Sequence, residues 1–424
     1  MQQEMISNPQ TGDQYILVHH PSGLDILICE MEGFSTTEAL FATKYGSINT
    51  RFRTAEDPDI CVVPEGIAHF LEHKLFENED CDAFALYAKT GANANAYTDF
   101  DKTCYLLSCS DHYQESLGIL LSFVQEPYFT QASVDKEQGI IGQEIRMIED
   151  DPSWRVLFNL LKAMYHSHPV RIDIGGTVES IAKIDADLLY RCYNTFYNLH
   201  NMVLVVAGNV KADEVLKIAD EKLKPCKDLS LETFFPEEPA EVLKHEVTDH
   251  AAVGLPLFQI GFKSRPETGI DRLRAELECY VAINALADPA SPLYRSMLEE
   301  QLINSAFSFE VFTGDGYFAN LFGGESSDPH AVRDRILAEI ARCKQEGLDR
   351  AHVESVKKAT YGSMLREFNN VEATATNLMN AHLAGGKPYD SLQILADMTY
   401  EQVQQALCTR FDPERIVLSV VEKE

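Results

Sequence analysis

The sequence predicts an α+β protein of two homologous domains, each a sheet covered by helices. Three observations predict it. The chain has 424 residues, 45% of them apolar, too long for one ordinary core and suited to two domains of about 200 residues each. Its first half alternates strand-like and helix-like stretches. Segments of that half recur in the second at an offset of about 214 to 219 residues.

Taken in order, the start from Met1 to Tyr15 is polar and lacks the basic and then apolar pattern of a signal peptide. Strands are expected at Tyr15 to Val18, Leu24 to Met31 and Ala39 to Phe52, several with period-two patterning. A helix is expected after Pro64, whose fixed φ and missing N–H suit a first turn, with Glu65 at the positive end of the dipole. Another runs from about Asp82 to Lys89 and stops at Gly91. Asn93 to Tyr97 and Thr103 to Ser108 read as a hairpin around Asp99-Phe100-Asp101-Lys102. Helices follow at about 114–126, 132–150 and 153–166, and the strand Met202 to Ala207 closes the half.

The repeat rests on two pairs of segments. Tyr197 to Val206 and Phe411 to Val420 are each an aromatic, a short polar turn and a buried-looking strand. Asn159-Leu160-Leu161 before His168-Pro169 echoes Asn377-Leu378-Met379 before Lys387-Pro388. Two similar offsets favour a duplicated α+β domain. Pro225 to Glu241 is rich in proline and acid and reads as a linker, which sets domains at 1–225 and 242–424 with 226–241 between them.

The net charge of −30 argues against a nucleic-acid partner, since phosphate binding needs basic patches. It implies solubility, or a negative field that draws in cationic peptides. The sequence offers no apolar run long enough for a membrane helix, so a cytoplasmic protein with no membrane partner is expected. Ten cysteines are scattered singly, Cys81 among them, and are expected to be reduced, small and apolar in role. Cys104 and Cys109 come nearest to ligand spacing, but no second pair accompanies them.

The chemistry centres on His69-Phe70-Leu71-Glu72-His73. On a helix, positions i, i+3 and i+4 share a face, so both imidazoles and the carboxylate point one way. Two histidines so spaced can grip one zinc ion, and the carboxylate beside them can take a proton from the hydrolytic water. The flanking Ile67, Phe70, Leu71, Leu75 and Phe76 imply a buried helix. Inside it, three polar groups without partners would each cost about 1–3 kcal/mol, and a metal satisfies all three.

Zinc needs a third protein ligand and an open position. On the helix Val134 to Asp150, Ile140, Ile141, Ile145, Met147 and Ile148 mark an apolar arc, with Glu137 and Glu144 inside it and Glu149 opposite. Glu144 is therefore the expected third ligand and Glu137 a supporting carboxylate or alternate ligand. A salt bridge from Glu144 to a buried arginine is the other reading.

These motifs, together with Gly91-Ala92-Asn93-Ala94-Asn95-Ala96-Tyr97-Thr98, resemble the pitrilysin or insulinase family of metallopeptidases, which includes the mitochondrial processing peptidase. Asn201-Met202 running into Val206-Ala207-Gly208-Asn209 resembles that family's end of the first domain. The resemblance implies one Zn2+ per chain on His69, His73 and Glu144, with Glu72 as general base and Glu137 as supporting acid. It implies that Asn95 and Ala96 lie on an edge strand that pairs with a peptide substrate. It also implies a clamshell chamber made from two such pairs of domains, hence a homodimer or a heterodimer with a related chain, as in bacterial single-unit members.

One stretch departs from the family. Across Ser291 to Phe307, Met297 and Phe307 stand about where the family places an arginine and a tyrosine, and Tyr294 or Arg295, or a partner chain, would have to replace them. The second half has no His-x-x-Glu-His, and Gly362 or Ser363 lies near the position matching Glu144, which limits the chain to one site. The expected activity is zinc-dependent endopeptidase cleavage of extended peptides. The alternatives are a subunit inactive on its own, a non-catalytic assembly subunit, and a zinc hydrolase of non-peptide amides.

Overall fold

The computed structural model describes residues 2–8, 11–79 and 82–423, so Met1 and Cys81 lie outside the described residues. Strands of the first half are β1 (Gln2–Ser7), β2 (Gln14–His19), β3 (Asp25–Glu30), β4 (Thr37–Thr43), β5 (Arg51–Arg53), β6 (Cys61–Val62), β7 (Asn93–Thr98), β8 (Thr103–Cys109) and β9 (Met202–Gly208). Those of the second half are β10 (Glu232–Thr233), β11 (Glu246–Ala251), β12 (Leu257–Lys263), β13 (Ser308–Gly314), β14 (Tyr317–Glu325) and β15 (Ile416–Lys423). Helices of the first half are α1 (Ile67–Leu75), α2 (Ala83–Thr90), α3 (Tyr113–Phe123), α4 (Gln131–Glu149), α5 (Pro152–Met164), α6 (Val178–Ile181), α7 (Ala186–Phe196) and α8 (Ala212–Lys222). The second half adds α9 (Gly269–Ala287), α10 (Pro292–Glu299), α11 (Pro329–Glu346), α12 (Arg350–Glu367), α13 (Val371–Leu383), α14 (Asp390–Asp397) and α15 (Tyr400–Arg410).

Local chemistry explains most boundaries. Asp82 caps α2 by accepting the Phe84 N–H, and Gly91 ends it in the left-handed region at φ 75°. Asp151 caps α5 in the same way through Ser153 N–H, with Pro152 at the first helical position. Two expectations change. The stretch 39–52 is not one strand, because β4 ends at Thr43 and β5 begins at Arg51. β1 forms from residues whose polarity hid them, since its side chains are mostly exposed.

The duplication covers five strands of each large sheet, and β1 and β2 extend the first beyond it. In the first sheet, of order β1-β2-β3-β9-β4-β8-β7, β3 and β9 are parallel and the other neighbours antiparallel. In the second, of order β11-β15-β12-β14-β13, β11 and β15 are parallel and the rest antiparallel. Both sheets therefore use one connection scheme, with β9 at Met202 answered by β15 at Ile416. A small third sheet joins β10, β5 and β6.

The compact units do not follow chain order. The first comprises 1–145, 173–234 and 365–389; the second comprises 146–172, 235–364 and 390–424. Each half of the chain thus gives one helix, α5 or α13, to the other half's unit. In the first unit, Val371, Ala375, Leu378 and Met379 of α13 pack on Leu27, Leu40, Val203 and Val205, while the opposite face of that sheet meets the cluster containing α1 and α3. In the second unit, α5 lies on β11, β12 and β15. Its approach requires Gly261, where a Cβ would stand 2.3 Å from Met164 Cε.

The expected linker is held rather than loose. Thr233 pairs with Phe52, and the chain enters the second unit at Phe235. There Glu238, with its side chain 11% exposed, accepts the backbone N–H groups of His166, Ser167 and His168 and an ion pair from Lys263 at 2.6 Å. Lys263 Nζ also donates to the carbonyls of Met164, Pro239 and Glu241. These bonds hold the Glu238 carboxyl down at about 2 despite its burial.

Candidate metal centre

α1 is embedded by Ile67, Ala68, Phe70, Leu71 and Leu75, all buried. Its remaining face carries His69, Glu72 and His73, as helical spacing requires. The helix starts later than expected. Pro64 precedes it, and Gly66 caps it at φ 86°, where a Cβ would stand 2.3 Å from the Gly175 carbonyl oxygen. The turn at Gly175 and Gly176 therefore sits directly on the start of this helix.

α4 supplies the opposing carboxylates. Val134, Ile141 and Ile145 are buried on it, whereas Ile140 is 47% and Met147 68% exposed, so its apolar arc is narrower than the sequence suggested. Glu137 and Glu144 nevertheless face α1, and Glu149 is exposed. Two imidazoles stand beside Glu144, rather than the arginine of the alternative reading. Glu144 Oε1 lies 3.7 Å from His69 Nε2, and Glu144 Oε2 lies 3.5 Å from His73 Nε2.

Those spacings are long for hydrogen bonds. They suit three ligand atoms about 2.0–2.1 Å from one ion at tetrahedral angles, which stand about 3.4 Å apart. Among the described residues, His69, His73 and Glu144 are the one such cluster of histidine, cysteine and acidic groups, their ligand atoms all within 4.8 Å of one another.

The electrostatics point the same way. Burial, reinforced by His73, pushes the His69 imidazole down to about 4, so it is a neutral donor near pH 7. Its buried Nδ1 has no hydrogen-bond partner among the described residues. His73 is also opposed by burial, yet Glu137, Glu144 and Glu72 together raise it. Carboxylates that stabilise a proton on His73 equally stabilise a divalent cation on its Nε2. Glu137 Oε1 accepts from His73 Nδ1 at 3.0 Å, which fixes the ring with Nε2 towards the cluster and holds the Glu137 carboxyl low.

Glu72 projects beside the cluster, its carboxyl raised by burial against the opposing pull of Thr98. Thr98 Oγ1 donates to Glu72 Oε2 at 2.6 Å. Sequence reasoning stopped at Asn95 and Ala96 and missed Thr98. Alternation puts Ala94, Ala96 and Thr98 on one face of β7, and only the structure shows that this face meets α1. β7 is the edge of its sheet, with Asn95 exposed. A cavity of about 510 Å³ opens beside the cluster, lined by Glu72, His73, Phe76, Phe84, Asn95 and Glu137 among others.

In the second unit the residues singled out in the sequence are held by that unit's own packing. Met297 and Phe307 are buried in that unit's core, Tyr294 packs partly against it, and Arg295 Nε donates to the Pro289 carbonyl. The nine described cysteines are free thiols, six of them buried and Cys226 exposed.

The chain is also similar to known proteins. Residues 63–178 match the family model Insulinase (Peptidase family M16), and residues 183–360 match Peptidase M16 inactive domain. An uncharacterised zinc protease of Bacillus subtilis (strain 168), YmfH, is 37% identical over 408 residues, covering 95% of each chain. The crystal structure of an M16-like peptidase from Alicyclobacillus acidocaldarius superposes with a TM-score of 0.95 at 34% identity, covering 99% of this chain and 100% of that one. The periplasmic protease PqqL of Escherichia coli shares the fold at a TM-score of 0.75 and 15% identity, with 99% of this chain covering 48% of that one.

Proposed function

The chain belongs to peptidase family M16, and from that premise we propose that it is a zinc-dependent endopeptidase acting on extended peptides. His69, His73 and Glu144 would hold one zinc ion, and Glu72 would be the general base. The observation that carries this reading is the 3.5 and 3.7 Å spacing of two histidine nitrogens about one carboxylate, too long for hydrogen bonds and suited to a shared ion.

When bound, zinc supplies Lewis acidity, polarising the scissile carbonyl and making the hydrolytic water more acidic. The chain's own groups do the rest. Glu137 orients His73 through Nδ1, and burial keeps His69 neutral as a ligand. Glu72 takes the proton of the attacking water and delivers it to the leaving amine. The edge strand β7 offers backbone groups at Asn95 and Ala96 to an extended substrate, which favours peptides over other amides.

The test is elemental analysis of purified protein, with cleavage of a mixed peptide library before and after chelation. About one zinc per chain and chelator-sensitive cleavage are expected from a site of this type. Absence of zinc would overturn the reading. Zinc without cleavage would favour a chain active only beside a second one, a reading supported by the 48% coverage of the PqqL chain. A dimer by light scattering is the expected assembly.

A further inference from the structure

We propose that Thr98 is the positioning residue for Glu72, so that the strand that aligns the peptide also aims the base; this rests on the peptidase reading above. A glutamate side chain has three rotatable bonds, and a base must hold its accepting oxygen in one place. The Thr98 hydroxyl fixes Oε2 at 2.6 Å, in the range of a charge-assisted bond. The Thr98 backbone adds to the hold on the same carboxyl, and the other carboxyl oxygen would receive the proton of the attacking water.

The donor is itself held. Thr98 is β-branched and stiff at χ1, and it pairs in register with Thr103 of β8. Thr103 Oγ1 donates to the Tyr45 carbonyl at 2.8 Å and lies 3.3 Å from Thr98 Oγ1. With the Thr103 proton committed to Tyr45, the single Thr98 proton is directed to Glu72. The anchor thus runs from the Tyr45 backbone through two threonines to the base.

The placement on β7 gives the device its consequence. Asn95 and Ala96 lie two to three residues before Thr98 on the same edge strand. A peptide pairing with that edge stiffens the backbone that carries the hydroxyl. Removing the hydroxyl should therefore lower turnover rather than weaken binding.

The test compares Thr98→Val, which keeps the shape and loses the hydroxyl, with Thr98→Ser, which keeps the hydroxyl. The full-length zinc-loaded protein is assayed on a peptide that the wild type cleaves. Thr98→Val should lower kcat about ten- to a hundredfold, with KM, zinc content and Tm unchanged, and Thr98→Ser should restore most of it. Unchanged kcat in Thr98→Val, equal impairment in both variants, or loss of zinc in Thr98→Val would each overturn the proposal. Crystal structures give a second readout that needs no activity. Glu72 should occupy one orientation in the wild type and several in Thr98→Val, and a single shared orientation would overturn the proposal. A wild type without zinc defeats the peptidase reading itself, whereas an active wild type with an indifferent Thr98→Val defeats this inference alone.

Discussion

Five strands of each large sheet share one order and one pattern of directions, yet the helices over the corresponding edge differ. In the first unit the helix against β7 is the nine-residue α1, whose free face carries His69, Glu72 and His73. In the second unit the helix against β13 is the nineteen-residue α9, which buries Ala275, Cys279, Ala282, Ile283 and Leu286. α4 brings Glu137 and Glu144 to the first site, while α12, in the corresponding place, has Gly362 near the position of Glu144. Copying a fold copies its backbone scheme. The proposed chemistry depends on a few polar side chains in otherwise apolar helices, and among the described residues those come together once.

The strongest way to break this contrast is to show that chemistry survives without the α1 carboxylate. Glu72→Gln should lose about 10²–10⁴-fold in kcat while retaining zinc. Residual activity near the wild-type level would mean that groups outside the first unit supply the base. Next in size is metal retention. Glu144→Gln should weaken zinc binding by more than the about 10–100-fold expected for Glu137→Gln, whose side chain reaches the site only through His73. Glu149→Gln should change nothing, since it points to solvent. Equal effects of Glu144→Gln and Glu149→Gln, read by competition with a chromogenic chelator, would remove Glu144 from the site.

A smaller effect separates the units by stability. Glu238→Gln should destabilise the second unit by about 2 kcal/mol, below the about 3–5 kcal/mol of leaving a buried charge alone, because glutamine still accepts from the backbone. Hydrogen exchange should quicken in β12 and leave β4 unchanged. Equal quickening in both strands would show that the units do not open independently.

These contrasts also show what the sequence could reveal. Helical periodicity placed His69, Glu72 and His73 on one face and brought Glu144 to them, even though Ile140 and Met147, counted as buried, are exposed. The error was harmless because Ile141 and Ile145 alone orient α4. Periodicity says which face is buried but not against what, so the exchange of α5 and α13 was invisible. The repeated Asn159-Leu160-Leu161 and Asn377-Leu378-Met379 lie on those two exchanged helices. Proline and acid made 225–241 read as a linker, and they gave no sign that the three N–H groups that Glu238 accepts come from residues about seventy positions earlier. Thr98 escaped because a threonine ending a strand carries no sequence mark of the helix packed on it.

The smallest and most discriminating prediction is that acid moves the two units in opposite directions. Glu38 of β4 is 4% exposed, and burial, with Glu372 adding to it and Ser108 opposing it, pushes its carboxyl up to about 7. Because the folded state favours its neutral form, its contribution is fully present below the unfolded value of 4.5 and is lost as pH rises through about 7. The first unit should therefore gain about 1 kcal/mol on acidification from about pH 8 to about pH 6, and Glu38→Gln should abolish that gain. Glu238 behaves in the opposite sense. Its folded value of about 2 lies below the ordinary 4.5, so its stabilisation is present above 4.5 and fades as pH falls towards 2. By about pH 3.5 the second unit should have lost about 1 kcal/mol. Opening free energies from hydrogen exchange in β4 and β12, corrected for the intrinsic pH dependence of exchange, should diverge in sign across this range. Parallel behaviour would mean that one common electrostatic term, the self-repulsion of a chain carrying −30 charges, outweighs both carboxyls.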